Sequence, residues 1–267
     1  MNFWKYQALG NDFIIIEDLD GKANKSASLV KTICDRHFGV GADGVLYLQK
    51  EKNFRMKIMN SDGGEAEMCG NGSICMGRFL LDRGLVDPGI DEIKIETLAG
   101  SISLYPRGEE VRVKMAPPRF KREEIPMRGS GKCIDEEIEV NSKKLKITAL
   151  SMGNPHAVVF GNYPIERIKE LAPKLESNEL FPKKTNVEFA KVISTDEICL
   201  TVYERGAGFT LACGTGACAT CVAGVVTKRL KPEVKVHLPG GDLKVFAGDE
   251  VFMEGPGREV FRGETGL

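Results

Sequence analysis

The chain has 267 residues, 42% of them apolar and 28% charged, with a formal net charge of −1. That balance fits one large or two ordinary globular domains with a real core, and it excludes a global basic field for nucleic acid or an anionic membrane. Eight cysteines are too few for a disulfide-dense secreted scaffold. The start, MNFWKYQALGNDFIII, lacks the basic and apolar regions of a signal peptide, so a cytoplasmic protein with reduced thiols is expected.

In chain order, the pattern predicts a strand at Phe13–Ile16 and a helix at Ser28–Cys34, which carries Leu29, Val30 and Ile33 on one side. Strands follow at Val45–Tyr47 and Met56–Met59. A helix over Gly72–Arg83 then stops at Gly84, a natural C′ residue. Strands at Ile93–Glu96, Ser101–Tyr105 and Val111–Met115 lead to APPRF, Ala116 to Phe120, where two prolines break regular structure. Nearly half of residues 119–148 are charged, which reads as a linker and a solvated sheet surface. The second part predicts a strand at Ala157–Phe160, a helix at Ile165–Leu175, a strand at Ile198–Val202 and a helix at Gly216–Val226. Strands at Val234–His237, Leu243–Phe246 and Glu250–Met253 close it. Short alternating strands between Gly, Pro and charged turns point to an α+β fold with largely antiparallel sheet.

The run from Gly206 to Thr227 holds 22 uncharged residues, long enough to span a membrane at roughly 20 residues. Five glycines and four threonines dilute its hydrophobicity, and no second such run exists. A buried helix after a glycine turn fits better.

The chain also repeats itself. EAEMCGNGSIC (65–75) matches FTLACGTGAC (209–218), and GNDF (10–13) matches GNPH (153–156). Cys69 and Cys213 are 144 residues apart, as are Asn60 and Glu204, while Asn11 and Asn154 are 143 apart. One shared offset implies two homologous halves, each running through strands into C-G-x-G and a helix. The two cysteines would then be related by a pseudo-twofold axis and face each other across a cleft.

At such a turn the first helical N–H groups have no internal partner and point outward with the positive end of the helix dipole. Glycine lets a ligand approach the backbone, so the turn is an anion site. A phosphate loop would need Gly-Lys-Ser/Thr, absent here, which leaves a carboxylate as the natural anion. The same field favours thiolate at a nearby Cys. Two thiols around a gripped carboxylate suit inversion of a stereocentre, one removing a proton and the other adding one. The helix starts would stabilise the charge developed on the α-carboxylate, so no electron-sink cofactor is required and none is expected.

These residues carry a family resemblance. ALGNDF (8–13), DRHFGVGADG (35–44), NSDGGEAEMCGNG (60–72), SMGNPHAV (151–158), FPKKTNVEF (181–189), YERGAG (203–208) and ACGTGACA (212–219) resemble diaminopimelate epimerases, in order and end to end. The resemblance implies two pseudo-symmetric halves, each a curved, mainly antiparallel sheet wrapped around a central helix, with the active site in the cleft between them. The halves would be residues 1–116 with Cys69 and 117–257 with Cys213, the tail 258–267 packing back on the first. Cys69 and Cys213 would be the acid/base pair. Gly70, Asn71, Gly214 and Thr215 would bind the reacting carboxylate. Asn11, Asn60, Asn154, Asn186 and Arg205 would read the remaining amino and carboxylate groups, and Glu204 would contact substrate ammonium. His156 and Glu204 would help set the thiol pKa values. The resemblance further implies interconversion of LL- and meso-diaminopimelate in lysine and peptidoglycan precursor synthesis, without metal or cofactor, in a cytoplasmic homodimer with neither nucleic-acid nor membrane partner. Alternatives are a racemase or epimerase of another amino acid, such as lysine or a proline derivative, and a redox-sensing dithiol protein.

The residue types suit that substrate. Asn offers donor and acceptor without net charge, and Arg205 can clasp a carboxylate in bidentate fashion. Two positions depart from the family. Phe209 stands where Glu is usual, and Ile74 where Arg is common, each removing a charge near a helix start. These leave epimerase chemistry better specified than strict substrate choice. The other six cysteines read as small core hydrophobes. Cys218 and Cys221 form C-x-x-C without the second ligand pair a zinc site needs. His37 and His237 read as structural.

Overall fold

The computed structural model describes residues 1–267. They form two compact units, Met1–Lys114 together with Glu254–Leu267, and Met115–Met253. The first contains β1 (Asn2–Ala8), β2 (Asn11–Glu17), α1 (Ala27–Cys34), β3 (Gly44–Lys50), β4 (Phe54–Asn60), β5 (Glu65–Ala66), α2 (Gly70–Asp82), β6 (Ile93–Thr97), β7 (Gly100–Arg107) and β8 (Glu110–Lys114). The last strand of the chain, Arg258–Glu264, also lies in this unit and pairs antiparallel with β1.

Strand pairing in the first unit runs from that last strand through β1, β2, β3, β4, β6 and β7 to β8. The β2–β3 and β4–β6 pairs are parallel. The sheet packs on α2, which touches β1, β2, β3, β7 and β8. α2 is apolar on most of its surface, so Ile74, Cys75, Met76, Phe79 and Leu80 are all wholly buried. The Trp4 and Tyr6 rings meet Phe79 edge-on at 5.4 and 5.8 Å, an arrangement aromatic quadrupoles favour.

The second unit holds β9 (Glu136–Val140), β10 (Lys143–Ser151), β11 (Pro155–Phe160), α3 (Ile165–Glu176), β12 (Asn186–Ser194), β13 (Glu197–Glu204), β14 (Gly208–Phe209), α4 (Gly214–Val226), β15 (Glu233–Leu238) and β16 (Gly241–Ala247). β17 (Val251–Pro256) begins in it, and the last strand is β18 in chain order. Pairing runs β9, β10, β11, β12, β13, β15, β16. The β11–β12 and β13–β15 pairs are parallel, at the same places in the order as in the first unit. α4 plays the part of α2 and touches β10, β11, β12 and β16. With 13 residues, α4 is a buried helix, and no helix is long and apolar enough to cross a membrane.

The four helices fall where the pattern places them: α3 starts at the expected Ile165, and α1, α2 and α4 start one or two residues earlier than periodicity indicates because Ser26, Cys69 and Cys213 cap their first turns. The charged stretch 119–148 reads as a linker and a solvated sheet surface, and its second part is the sheet surface. Most of its second part is β9 and β10, whose alternation turns Ile138, Val140, Leu145 and Ile147 inward and the charges out. Strands β1, β12 and β18 were not expected. β18 is exposed along its whole length and carries no burial signal. Cys199 is exposed on β13, not a core residue, since its neighbours Ile198 and Leu200 take the inward positions.

The two central helices end alike. In α2, Leu85 N–H reaches Leu80 O at 2.9 Å and Gly84 N–H reaches Leu81 O at 3.0 Å, with Gly84 at φ +63°. In α4, Arg229 N–H reaches Gly224 O at 2.8 Å and Lys228 N–H reaches Val225 O at 3.0 Å, with Lys228 at φ +59°. Both are Schellman closures.

Candidate active site

Each unit holds one thiol-capped helix start. Cys69 is the N-cap of α2, in extended backbone, and its Sγ accepts the Gly72 N–H at 3.4 Å. Cys213 caps α4 in the same way, with Gly216 N–H to Sγ at 3.4 Å. A side-chain acceptor at N-cap normally comes from Ser, Thr, Asp or Asn. Here a sulfur takes that place and sits in the positive field of the helix start. The Gly70–Asn71 and Gly214–Thr215 N–H groups are the first two of their helices, beyond the reach of any intrahelical carbonyl.

In the first unit Asn11 and Asn71 gather around Cys69. Asn11 Oδ1 lies 3.9 Å from Cys69 Sγ and accepts Asn71 Nδ2 at 3.4 Å. Asn11 is oriented from behind, its Nδ2 donating to Asp43 Oδ2 at 2.8 Å. Asp43 also receives Arg36, which clasps Asp12 through two hydrogen bonds, while Lys5 pairs with Asp12 at 2.7 Å. Asn60 ends β4 exposed, paired on the ladder with Gly44 beside Asp43.

In the second unit a hydrogen-bonded chain leads to Cys213. Thr215 Oγ1 is 3.4 Å from the sulfur. Asn154 Nδ2 donates to Thr215 Oγ1 at 3.3 Å, and its Oδ1 faces His156 Nε2 at 2.9 Å. His156 Nδ1 faces Glu188 Oε1 at 2.7 Å, both side chains wholly buried. Asn186 is a framework residue, its Nδ2 donating to Pro155 O and its Oδ1 accepting Arg205 N–H. That bond fixes the turn carrying Glu204 and the exposed Arg205. Glu204 Oε1 accepts Thr210 Oγ1 at 2.5 Å, and Gly206 N–H donates to Glu176 at 2.9 Å. Burial first, then the Glu204 and Glu188 carboxylates, push the Cys213 thiol well up, against a smaller pull from Thr215 and Gly216.

Sequence reasoning missed Glu188. Its carboxyl is held up by burial, His156 opposing, and its Oε2 has no hydrogen-bond partner. The available signal was alternation: in NVEFA, Asn186 and Glu188 point to the same face of the strand. The departures from the family pattern also resolve. Ile74 is wholly buried in the core of the first unit. Phe209 is 42% exposed and packs edge-on against Tyr203 at 4.9 Å.

The diaminopimelate epimerase family profile matches residues 3–121 and 148–259. The chain belongs to the diaminopimelate epimerase family. It is 45% identical to the diaminopimelate epimerase of Pelotomaculum thermopropionicum over 277 aligned residues, covering 99% of this chain and 98% of that one. It is also 45% identical to the enzyme of Carboxydothermus hydrogenoformans, with 99% of each covered. Among solved structures, the fold is similar to a Bacillus anthracis phenazine biosynthesis protein of the PhzF family, with a TM-score of 0.73 and 18% identity, covering 100% of this chain and 99% of that one. It is similar too to a hydroxyproline epimerase from Agrobacterium vitis, at TM-score 0.69 and 16% identity, with 99% and 90% covered. This α+β fold of two repeated halves is thus shared with other isomerases.

Proposed function

We propose that the protein interconverts LL- and meso-diaminopimelate by two-base proton transfer at the α-carbon, serving lysine and peptidoglycan precursor synthesis. The observation that supports this most is the pair of thiol-capped helix starts, Cys69 on α2 and Cys213 on α4, in a chain of this family. One cysteine as thiolate removes the α-proton and the other as thiol delivers a proton to the opposite face. Gly70, Asn71, Gly214 and Thr215 bind the α-carboxylate, where charge grows in the transition state. Glu204 meets substrate ammonium. Arg205, with Asn11, Asn60, Asn154 and Asn186, reads the remaining groups or holds those that do. The protein acts in the cytoplasm as a homodimer, and exposed Val260 and Phe261 on β18 are an apolar pair a second copy would cover.

The test is a panel of diaminopimelate stereoisomers and lysine in D2O under reducing conditions. Deuterium should enter the α-position of LL- and meso-diaminopimelate as they interconvert. Turnover of lysine with diaminopimelate untouched would overturn the reading, and light-scattering mass would decide the dimer.

A further inference from the structure

The two halves differ at one place under their helix starts. A Cβ added at Gly72 would stand 3.4 Å from Leu46 Cδ2 and 3.6 Å from Cys69 Sγ. A Cβ at Gly216 would stand 2.8 Å from Glu188 Oε1 and 3.3 Å from Cys213 Sγ. The strand registers are equivalent. Phe13 pairs with Gly44 on β2–β3, and Leu46 is two residues on. His156 pairs with Asn186 on β11–β12, and Glu188 is two residues on. Phe13–Leu46 beneath Cys69 is therefore replaced by His156–Glu188 beneath Cys213.

That exchange has an electrostatic consequence. A helix start favours thiolate at its cap. Leu46 itself sets no charge against that field. Glu188 sets a carboxyl oxygen against it in a wholly buried place, where such interactions are strong. His156 keeps the carboxyl in place and shares a proton with it along the 2.7 Å contact. The Nε2–H side of the ring then fixes the Asn154 amide, which aims Nδ2 at Thr215. We infer that Glu188 is a positioning residue for Cys213, holding it as the protonated partner, a role that the apolar Leu46 does not play under Cys69.

The inference rests on the two-thiol reading of the site. The titratable groups acting on Cys213 are Glu204 on β13 and Glu188 on β12, with His156 on β11 reaching it only through Glu188 and Asn154. Behind Asn11, Asp12 and Asp43 are paired with Lys5 and Arg36. Glu188 therefore places a carboxyl at a register position where the first unit has the uncharged Leu46.

Two variants test it. Glu188→Gln keeps the size and presents an amide donor to His156 Nδ1. His156→Phe with Glu188→Leu installs the residues that the first unit carries at the equivalent register positions. Alkylation of each cysteine-bearing peptide by iodoacetamide, followed across pH by mass spectrometry, reads Cys213 with Cys69 as internal control. In both variants the Cys213 midpoint should fall by about one pH unit or more, with Cys69 unmoved. The upper pH limb of kcat/KM should fall with it while the lower limb stays. A Cys213 midpoint that is unchanged or raised in both would overturn the inference. Alkylation uses no substrate, so a wild-type protein that fails to epimerise diaminopimelate would fault the functional reading and still leave the thiol titration to decide this one.

Discussion

Leu46 and Glu188 occupy the same position in the two halves, each the strand side chain beneath the third residue of a thiol-capped helix. Gly72→Ala and Gly216→Ala should therefore behave differently. At Gly72 the new methyl meets Leu46 at ordinary contact distance, and the gain in helix propensity, up to about 1 kcal/mol, offsets the crowding. At Gly216 it meets Glu188 Oε1 at 2.8 Å, an atom that cannot swing away without losing His156. Urea denaturation should show Gly216→Ala destabilised by about 1–3 kcal/mol and Gly72→Ala within about 1 kcal/mol of wild type.

Removing one member of the buried pair should cost more than removing both. His156→Ala leaves the Glu188 carboxyl buried with neither oxygen bonded to a side chain, a loss of about 3–5 kcal/mol. His156→Phe with Glu188→Leu fills the space with apolar groups and should recover most of that loss. A double-mutant cycle by chemical denaturation measures the coupling. Equal losses for the single and double variants would show that the pair does not act as a unit.

The repeat and both thiol turns were legible because C-G-x-G is short, rare and read the same way twice. The helices were legible from their apolar period. Glu188 was not, because a lone acidic residue in a strand ordinarily faces solvent, and only the parallel pairing of β11 with β12 brings it to His156. The parallel pairs themselves have no local signature, since a register between distant strands is set by packing. β9 and β10 were obscured by their charge, which masks the inward Ile and Leu, and β18 by its exposure.

The equivalent ends of α2 and α4 give a backbone prediction. Gly84 and Lys228 both hold positive φ in a Schellman closure, and only glycine does so freely. Lys228→Gly should stabilise the protein by about 1 kcal/mol, read as a raised urea midpoint with unchanged slope. Gly84→Lys should lose a similar amount, because the space around Gly84 is open and only the backbone conformation is at stake.

The two thiols should be separately indispensable. Cys69→Ala and Cys213→Ala should each slow epimerisation by about 100-fold or more, the loss of one positioned acid or base. Each variant keeps its fold, since the helix retains its remaining contacts and loses only a weak sulfur cap. Deuterium incorporation from D2O, followed by mass spectrometry for each stereoisomer, provides the measurement. Full rates in both variants would reject the two-base reaction.

The Asp12 network predicts how stability responds to acid. Burial alone would raise the Asp12 carboxyl, but hydrogen bonds and charge from Arg36 and Lys5 outweigh it and bring the group to about 2 from an ordinary 3.8. A depressed carboxyl means that the unfolded chain binds the proton first. Its stabilisation is complete above pH of about 4 and is lost as pH falls through about 2. Asp12→Asn removes this, leaving Arg36 with Asp43 alone and Lys5 without its carboxylate, so it should be less stable at neutral pH by on the order of 2 kcal/mol. The gap to wild type should close steadily as pH is lowered from 4 towards 2, measured by urea midpoints at each pH. A gap that stays constant over that range would show that Asp12 does not titrate as the network requires.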